Sequence, residues 1–249
     1  MMTLFSMADS LCDAALAVLY PRACAVCGGC VQERAMGVAC RECWQRTRVF
    51  EEEQACCWKC GAPSAAQVSE EERAAVSCRR CETEAFTAAR ACGAYEGALR
   101  ASVLALKREP YVSRHLSLLM LKAQQREPLA AATRVLPVPL HAARLRERGF
   151  NQAALLAQEL ARRARLPFDD RSLTRVAQTS RHRAGMDARS RRESVREAFK
   201  VTRPCLVSGQ RILLVDDVLT TGATVSACAE VLKDAGASEV FVLTVARPL

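Results

Sequence analysis

The sequence predicts an α/β protein, a mostly parallel sheet flanked by helices, behind a small N-terminal domain rich in cysteine. Three observations predict it. Ile212-Leu213-Leu214-Val215 is a short apolar run of the kind found in strands buried on both faces. A helix-spaced stretch and a second β run follow it, completing a βαβ unit. Ahead of residue 93 the chain holds twelve of its 14 cysteines, paired at regular spacing. The expected division is 1–22 for an N-terminal amphipathic helix, 23–90 for the cysteine-rich domain and 91–249 for the α/β body.

The 249 residues suffice for one domain of ordinary size plus a small one, and 50% hydrophobic content is ample for a core. Leu4, Met7, Leu11, Ala15 and Val18 form a helical stripe at the start. Asp9 and Asp13 lie within it and no Lys or Arg occurs early, which argues against a secretory signal. No apolar stretch reaches the length of a membrane span. The expectation is a cytoplasmic protein whose first helix packs on the body.

Four C-x-x-C pairs follow: Cys24/Cys27, Cys40/Cys43, Cys57/Cys60 and Cys78/Cys81. Each pair can present two thiolates to one ion, and two such knuckles make the four-thiolate shell of structural zinc. Gaps of twelve and seventeen residues within successive pairs of knuckles suit ribbons. Gly28 and Gly61 directly follow a second cysteine, where the chain must turn tightly. The expected sets are Cys24, Cys27, Cys40 and Cys43 on one ion and Cys57, Cys60, Cys78 and Cys81 on another. Interleaved pairing is an alternative, and Cys30 and Cys56 are competing ligands. Disulfides would need an oxidising compartment that nothing here indicates. A thioredoxin-like pair would be one C-x-x-C beside a βαβ unit, not four in a loop-rich segment, whereas an iron–sulfur cluster needs only thiolates. So small a segment, poor in aromatics, would draw much of its folding energy from metal. Cys12, Cys92, Cys205 and Cys228 read as small core residues.

The body then unfolds in order. Leu99, Val103 and Leu106 have helical spacing over Gly97 to Lys107, and Pro110 breaks that helix. A second helix surrounds Leu116, Leu119, Met120 and Ala123. The run from Arg134 to Pro139 is extended, with its two prolines at the strand's end. After His141, Arg144, Arg146 and Arg148 come Gly149-Phe150-Asn151-Gln152 and a helix to Arg165. Leu173 to Ala177 and Ala198 to Thr202 are short strand candidates. The polar, arginine-rich stretch from Gln178 to Arg196 between them is long enough for a lid.

The most informative segment is last. After Ile212 to Val215 stand two acids, Asp216 and Asp217, then Thr220-Thr221-Gly222-Ala223-Thr224. Val225, Cys228, Val231, Leu232 and Ala235 share one face of the next helix, Gly236 serves as its C′ residue, and Glu239 to Ala246 is the returning strand. Ligands of such units bind at the C-terminal ends of the strands. The turn offers amides, three hydroxyls and a helix N-terminus to a phosphate. The acids are acceptor-only groups suited to a vicinal diol. A diol beside a phosphate describes a ribose 5-phosphate. A plain helix cap at Thr220 or Thr221 would explain a hydroxyl, but not two repelling acids at the end of an apolar strand. The pattern is not a Walker A loop.

This segment resembles the phosphoribosyl pyrophosphate (PRPP) signature of type I phosphoribosyltransferases. The resemblance implies that Asp216 and Asp217 hold the ribose hydroxyls, and that Thr220, Thr221, Gly222, Ala223 and Thr224 hold the 5-phosphate. It implies the type I phosphoribosyltransferase fold for the body, with Mg2+ bridging the diol and the pyrophosphate of PRPP. With a double zinc ribbon in front, the chain resembles the ComF family of natural competence and DNA uptake. Supporting pieces are Tyr95-Glu96-Gly97, Leu99-Arg100, Leu106-Lys107, Pro137-Val138-Pro139-Leu140-His141 and Arg148-Gly149-Phe150-Asn151-Gln152. The chain departs from the family pattern at Arg108-Glu109, Arg183 and Ser194, positions that bear on the acceptor and pyrophosphate ends. Candidate pyrophosphate partners are the Val138 to His141 turn, Lys107, Arg144 and Arg148, with Arg181, Arg183 or Arg191 closing from the lid.

Charge separates the two parts. Residues 1–93 carry a net −2 and residues 94–249 a net +11. A basic body suits a polyanionic substrate or nucleic acid. Two functions fit: a phosphoribosyltransferase acting on PRPP and an unidentified acceptor, or a single-stranded-DNA-binding competence protein that senses PRPP or a nucleotide without turnover. Other competence proteins are expected partners. With two Trp and three Tyr in the chain, a base-stacking platform would be thin. A regulator on the same fold would need a helix-turn-helix, which is not seen.

Overall fold

The computed structural model describes residues 22–51, 54–64, 76–176 and 196–249. All of the expected helix over 1–22 but Arg22, Cys12 included, lies outside them, as does the stretch 177–195 with Arg181, Arg183, Arg189, Arg191, Arg192 and Ser194. In chain order the regular elements are α1 (Arg41–Arg46), β1 (Ala88–Ala94), α2 (Gly97–Leu106), α3 (Arg114–Gln124), β2 (Arg134–Pro137), α4 (Ala142–Arg148) and α5 (Gln152–Ala164). After these come β3 (Leu173–Arg175), β4 (Phe199–Val201), β5 (Arg211–Val218), α6 (Ala223–Asp234) and β6 (Glu239–Arg247).

Four strands form one all-parallel sheet in the order β1-β6-β5-β2, and β3 pairs with β4 in a small antiparallel sheet. Side chains alternate across a strand, so each sheet face collects every second residue. Leu213, Val215, Phe241 and Leu243 meet α2, α3 and α5 on one face. Ile212, Leu214, Val240 and Val242 meet α6 on the other, together with Leu173 and Phe199 of the small sheet. This double burial is why β5 and β6 read as continuous apolar runs.

Strand β1 was not foreseen. It is built of alanine, glycine and cysteine around Arg90, a weak apolar signal, yet all seven residues are buried. It also spans position 90, where the sequence placed a domain boundary. The cysteine-rich segment explains the burial by covering this sheet edge. Val49 bridges Gly93 antiparallel, Phe50 N–H donates to the Cys92 carbonyl over 2.9 Å, and Ala89 N–H donates to Lys59 over 2.6 Å. An open strand edge is thereby closed within the chain. Arg90, 7% exposed, donates to the carbonyls of Trp58 (2.8 Å) and Ala89 (2.9 Å), with its guanidinium 5.3 Å from the Trp58 ring centroid.

Cys92 and Cys228 are buried as expected, but Cys205 is exposed and is not a core residue. It lies in a short 3-10 turn, Pro204–Leu206, whose residues face outward. Among the described residues, no helix is long and apolar enough to cross a membrane.

Candidate functional site

Strand β5 delivers its two acids to the C-terminal edge of the sheet, between β2 and β6. Being adjacent on a strand, the two carboxylates start toward opposite faces. Asp216 follows Ile212 and Leu214 toward α6, and Asp217 N–H donates to its Oδ1 over 2.9 Å. Burial, then the negative charge of Asp217, push the Asp216 carboxyl from an ordinary 3.8 up to about 7. The Asp217 amide and the Arg175 guanidinium act against that rise. A strand-end carboxyl that awaits a hydrogen-bonding or cationic partner behaves in this way.

Beyond Leu219 the chain turns into α6 through Gly222, whose φ of +83° suits glycine. Neither Thr220 nor Thr221 is the N-cap residue of α6; that position is Gly222, which supplies no side-chain cap. The amides of Thr220, Thr221 and Gly222 have no hydrogen-bond partner among the described residues. Donors left open at the start of a twelve-residue helix make an anion cradle. Asp216 and the turn from Thr220 to Thr224 line one concavity of about 40 Å3, with Val218, Leu219 and Val225.

The other predicted residues do not line it. Lys107 is the C-cap of α2 and half-buried, and among the described residues it makes no hydrogen bond or ion pair with either acid. His141 is the N-cap of α4, its Nδ1 accepting from Ala143 N–H over 3.2 Å. Arg144 and Arg148 lie on α4, a short helix with no buried residue and no apolar periodicity to mark it in the sequence. Of these, only Arg144 is near enough to influence Arg175 electrostatically.

Two further residues shape the site, Arg175 and Asn151. Arg175, on β3, carries its guanidinium 5.3 Å from the Phe199 ring centroid, and its charge opposes the rise of Asp216. No local pattern marks it, because the antiparallel β3–β4 pairing brings it there. Asn151 belongs to the Gly149-Phe150-Asn151-Gln152 motif. Its Oδ1 caps α5 by accepting from Ala153 N–H (3.1 Å), while Nδ2 donates to the Val138 carbonyl (3.0 Å) and holds the loop after β2. An asparagine before a helical pattern is the signal that marks it.

The cysteines gather into two groups, Cys24/Cys27/Cys40/Cys43 and Cys57/Cys60/Cys78/Cys81, with each group's sulfurs within 4.8 Å of one another. The closest contacts are 3.8 Å for Cys27–Cys40 and 3.5 Å for Cys57–Cys81, Cys60–Cys78 and Cys78–Cys81. A tetrahedral shell with Zn–S near 2.3 Å places its sulfurs about 3.8 Å apart, whereas a disulfide needs about 2.05 Å. The grouping is sequential rather than interleaved. Cys30 and Cys56 stand outside both groups in the antiparallel bridges Ala23–Cys30 and Cys56–Pro63 beside each knuckle. Gly28 and Gly61 close the knuckles with φ of +77° and +65°.

The chemistry of the donor set also fits a cation. Burial raises the Cys24 thiol, but donors from Cys27, Cys40 and Val26 outweigh it and leave that group lowered to about 6. Cys57 is likewise lowered to about 7 against its burial, chiefly by the Cys60 amide. Burial and then the neighbouring thiols push Cys43 up to about 12, and the same causes raise Cys81. In each group one thiol is thus eased toward the thiolate while a neighbour, Cys43 or Cys81, is held protonated, a conflict that a bound cation would relieve.

Two known family models match parts of the chain. A double zinc ribbon domain family model matches residues 15–82, and a phosphoribosyl transferase domain model matches residues 148–248. The chain is 38% identical over 138 residues to the DNA utilization protein YhgH of Escherichia coli O157:H7, covering 55% of this chain and 60% of that protein. It is 35% identical over 141 residues to competence protein F of Haemophilus influenzae, covering 55% and 59%. The chain thus spans about 60% of the length of these curated relatives. Among solved structures, the B. subtilis glutamine PRPP amidotransferase complexed with ADP and GMP overlaps 52% of this chain and 25% of that one, at 21% identity and a TM-score of 0.37.

Proposed function

We infer that this chain, a ComF-type protein joining a double zinc ribbon to a phosphoribosyl transferase domain, binds PRPP at the C-terminal edge of its sheet and transfers the phosphoribosyl group to an acceptor. The observation that carries the reading is the concavity shared by Asp216 and the open-amide turn from Thr220 to Thr224. The turn receives the 5-phosphate through main-chain N–H groups and the positive end of α6. Asp216 and Asp217 accept from the ribose hydroxyls. Magnesium, bound with PRPP, supplies charge neutralisation at the pyrophosphate. As the C1–O bond to pyrophosphate breaks and the acceptor's bond to C1 forms, positive charge gathers on the ribose ring beside these carboxylates. The chain's own contribution is positioning and charge stabilisation. Structural zinc in both cysteine groups holds the ribbon against the edge of β1.

Titration calorimetry of PRPP with magnesium, against wild type and Asp216→Ala/Asp217→Ala, tests the binding step. Saturable binding lost in the folded double mutant is expected; indifference of the wild type to PRPP rejects the reading. Pyrophosphate release across nucleobase-like acceptors tests turnover.

One observation favours a second role in handling single-stranded DNA. Helix α4 buries no residue and carries Arg144, Arg146 and Arg148, the first of them near enough to act on Arg175. Cations so arranged contact phosphates without reading sequence. Salt-sensitive retention of single-stranded DNA by Asp216→Ala/Asp217→Ala, with no pyrophosphate release by wild type, supports this role over catalysis.

A further inference from the structure

The two cysteine groups belong to opposite faces of the sheet. Cys24, Cys40 and Cys43 pack with α2, α3 and α5, where the Trp44 and His115 ring centroids lie 4.4 Å apart and Thr47 Oγ1 accepts from Ala98 N–H over 2.9 Å. Cys57, Cys60 and Cys81 pack in the cluster of α6, the helix that starts at the candidate phosphate turn. The chain leaving Cys81 turns once and then meets α6. Glu84 N–H donates to the Cys81 carbonyl over 3.1 Å, and Ala85 N–H donates to Ser226 Oγ over 2.8 Å. Ser226 is buried in the first turn of α6, and its own N–H donates to the Gly222 carbonyl over 2.8 Å. The Glu84 carboxylate lies next to Gly222: a Cβ built there would lie 3.3 Å from its Oε2. Past this clasp the ribbon and α6 part into an open groove lined by Lys59, Glu84, Thr87, Glu230 and Lys233.

We propose that the clasp of Ala85 on Ser226 couples the second cysteine group to the phosphate turn, so that metal at Cys57/Cys60/Cys78/Cys81 and PRPP at the turn strengthen each other's binding. The first cysteine group takes no part. The proposal rests on the reading of the turn as a phosphate site. Its physical basis is the shortness of the connection. Ala85 follows Cys81 by four residues, through a turn closed by the Glu84 N–H on the Cys81 carbonyl, so a metal-fixed knuckle sets where the Ala85 amide meets α6. Coupling between two binding sites is reciprocal: PRPP must hold the metal as strongly as the metal holds PRPP. One buried hydrogen bond to Ser226 corresponds to about a three- to tenfold effect.

The test measures zinc release to a chelating dye from the full chain, with and without saturating PRPP and magnesium. Cys24→Ser/Cys27→Ser isolates the second group and Cys57→Ser/Cys60→Ser the first. PRPP is expected to slow release from the second group about three- to tenfold, and not from the first. Ser226→Ala is expected to abolish the slowing while still binding two zinc ions, and Ser226→Thr, which keeps the acceptor oxygen, to restore it. Equal slowing at both groups, no slowing although calorimetry shows PRPP bound, or slowing that survives in Ser226→Ala overturns the proposal. Should the double-cysteine variants not fold, wild type against Ser226→Ala decides alone. Should PRPP not bind at all, the phosphate reading fails separately, and hydrogen exchange of residues 219–229 without ligand tests the clasp. Faster exchange in Ser226→Ala then upholds it, and unchanged exchange overturns it.

Discussion

Asp217 donates its main-chain N–H to the side chain of the residue before it, Asp216, over 2.9 Å. One strand thus delivers two carboxyls to one edge, the first of them partly shielded from water and pressed by the charge of the second. That arrangement has little purpose in a ligand-free fold, and it produces the most direct of the predictions.

Asp216 titrates near 3.8 when unfolded and near 7 when folded. Between those values the folded chain keeps a proton that the unfolded chain has lost, so the contribution of Asp216 to stability is full below 3.8 and is lost as pH rises through 7. Asp216→Asn is therefore expected to be more stable than wild type at pH 8, on the order of 1–2 kcal/mol after allowance for screening and relaxation. The gain should fade toward pH 4. Thermal melts across pH check it; equal melting temperatures at pH 8 would refute it. In wild type, affinity for PRPP should rise with pH through neutrality as Asp216 ionises.

Asn151 performs two tasks with one amide, and its variants separate them. Asn151→Ala loses the α5 cap and the bond to Val138, at a cost of about 1–2 kcal/mol. Asn151→Asp keeps the capping oxygen but sets a carboxylate against the Val138 carbonyl. Denaturant unfolding should place Asp between wild type and Ala, while both weaken PRPP binding by loosening the loop after β2. Wild-type affinity in both variants would contradict this.

Gly222 sits at φ +83° with Glu84 close by. Gly222→Ala meets backbone strain of about 1 kcal/mol and must push the carboxylate aside. Affinity for PRPP is expected to fall about tenfold, with zinc content unchanged. Calorimetry paired with metal analysis reads both quantities, and undiminished affinity would show that the turn does not need its glycine.

Elemental analysis should find two zinc ions per chain. Chelation should unfold the segment from Arg22 to Cys81 and uncover the edge of β1, since Val49, Phe50 and Lys59 reach that strand only from the cysteine-rich segment. Circular dichroism and hydrogen exchange of residues 88–94 report the two events. A chelated chain with native dichroism and protected β1 amides would mean that metal is not structural here.

Much of this protein was legible before any coordinates. Strands β5 and β6 announce themselves because burial on both faces leaves no polar alternation. The knuckles announce themselves because tetrahedral coordination fixes the spacing of cysteines along the chain. Strand β1 and helix α4 did not. The first consists of small residues whose burial depends on a partner segment some forty residues earlier. The second has no apolar face to give it a period.

The acids, the turn and the eight paired cysteines are therefore properties of the sequence itself, since each depends on neighbours a few positions away. What only tertiary structure decided is who meets them: Arg175 turned toward Asp216 by an antiparallel pairing, Thr47 capping a helix that begins fifty residues later, and one ribbon rather than the other clasped to α6. Short-range geometry is written in local spacing. Contacts between distant segments follow from how the faces of the sheet are shared out, and no local pattern records that.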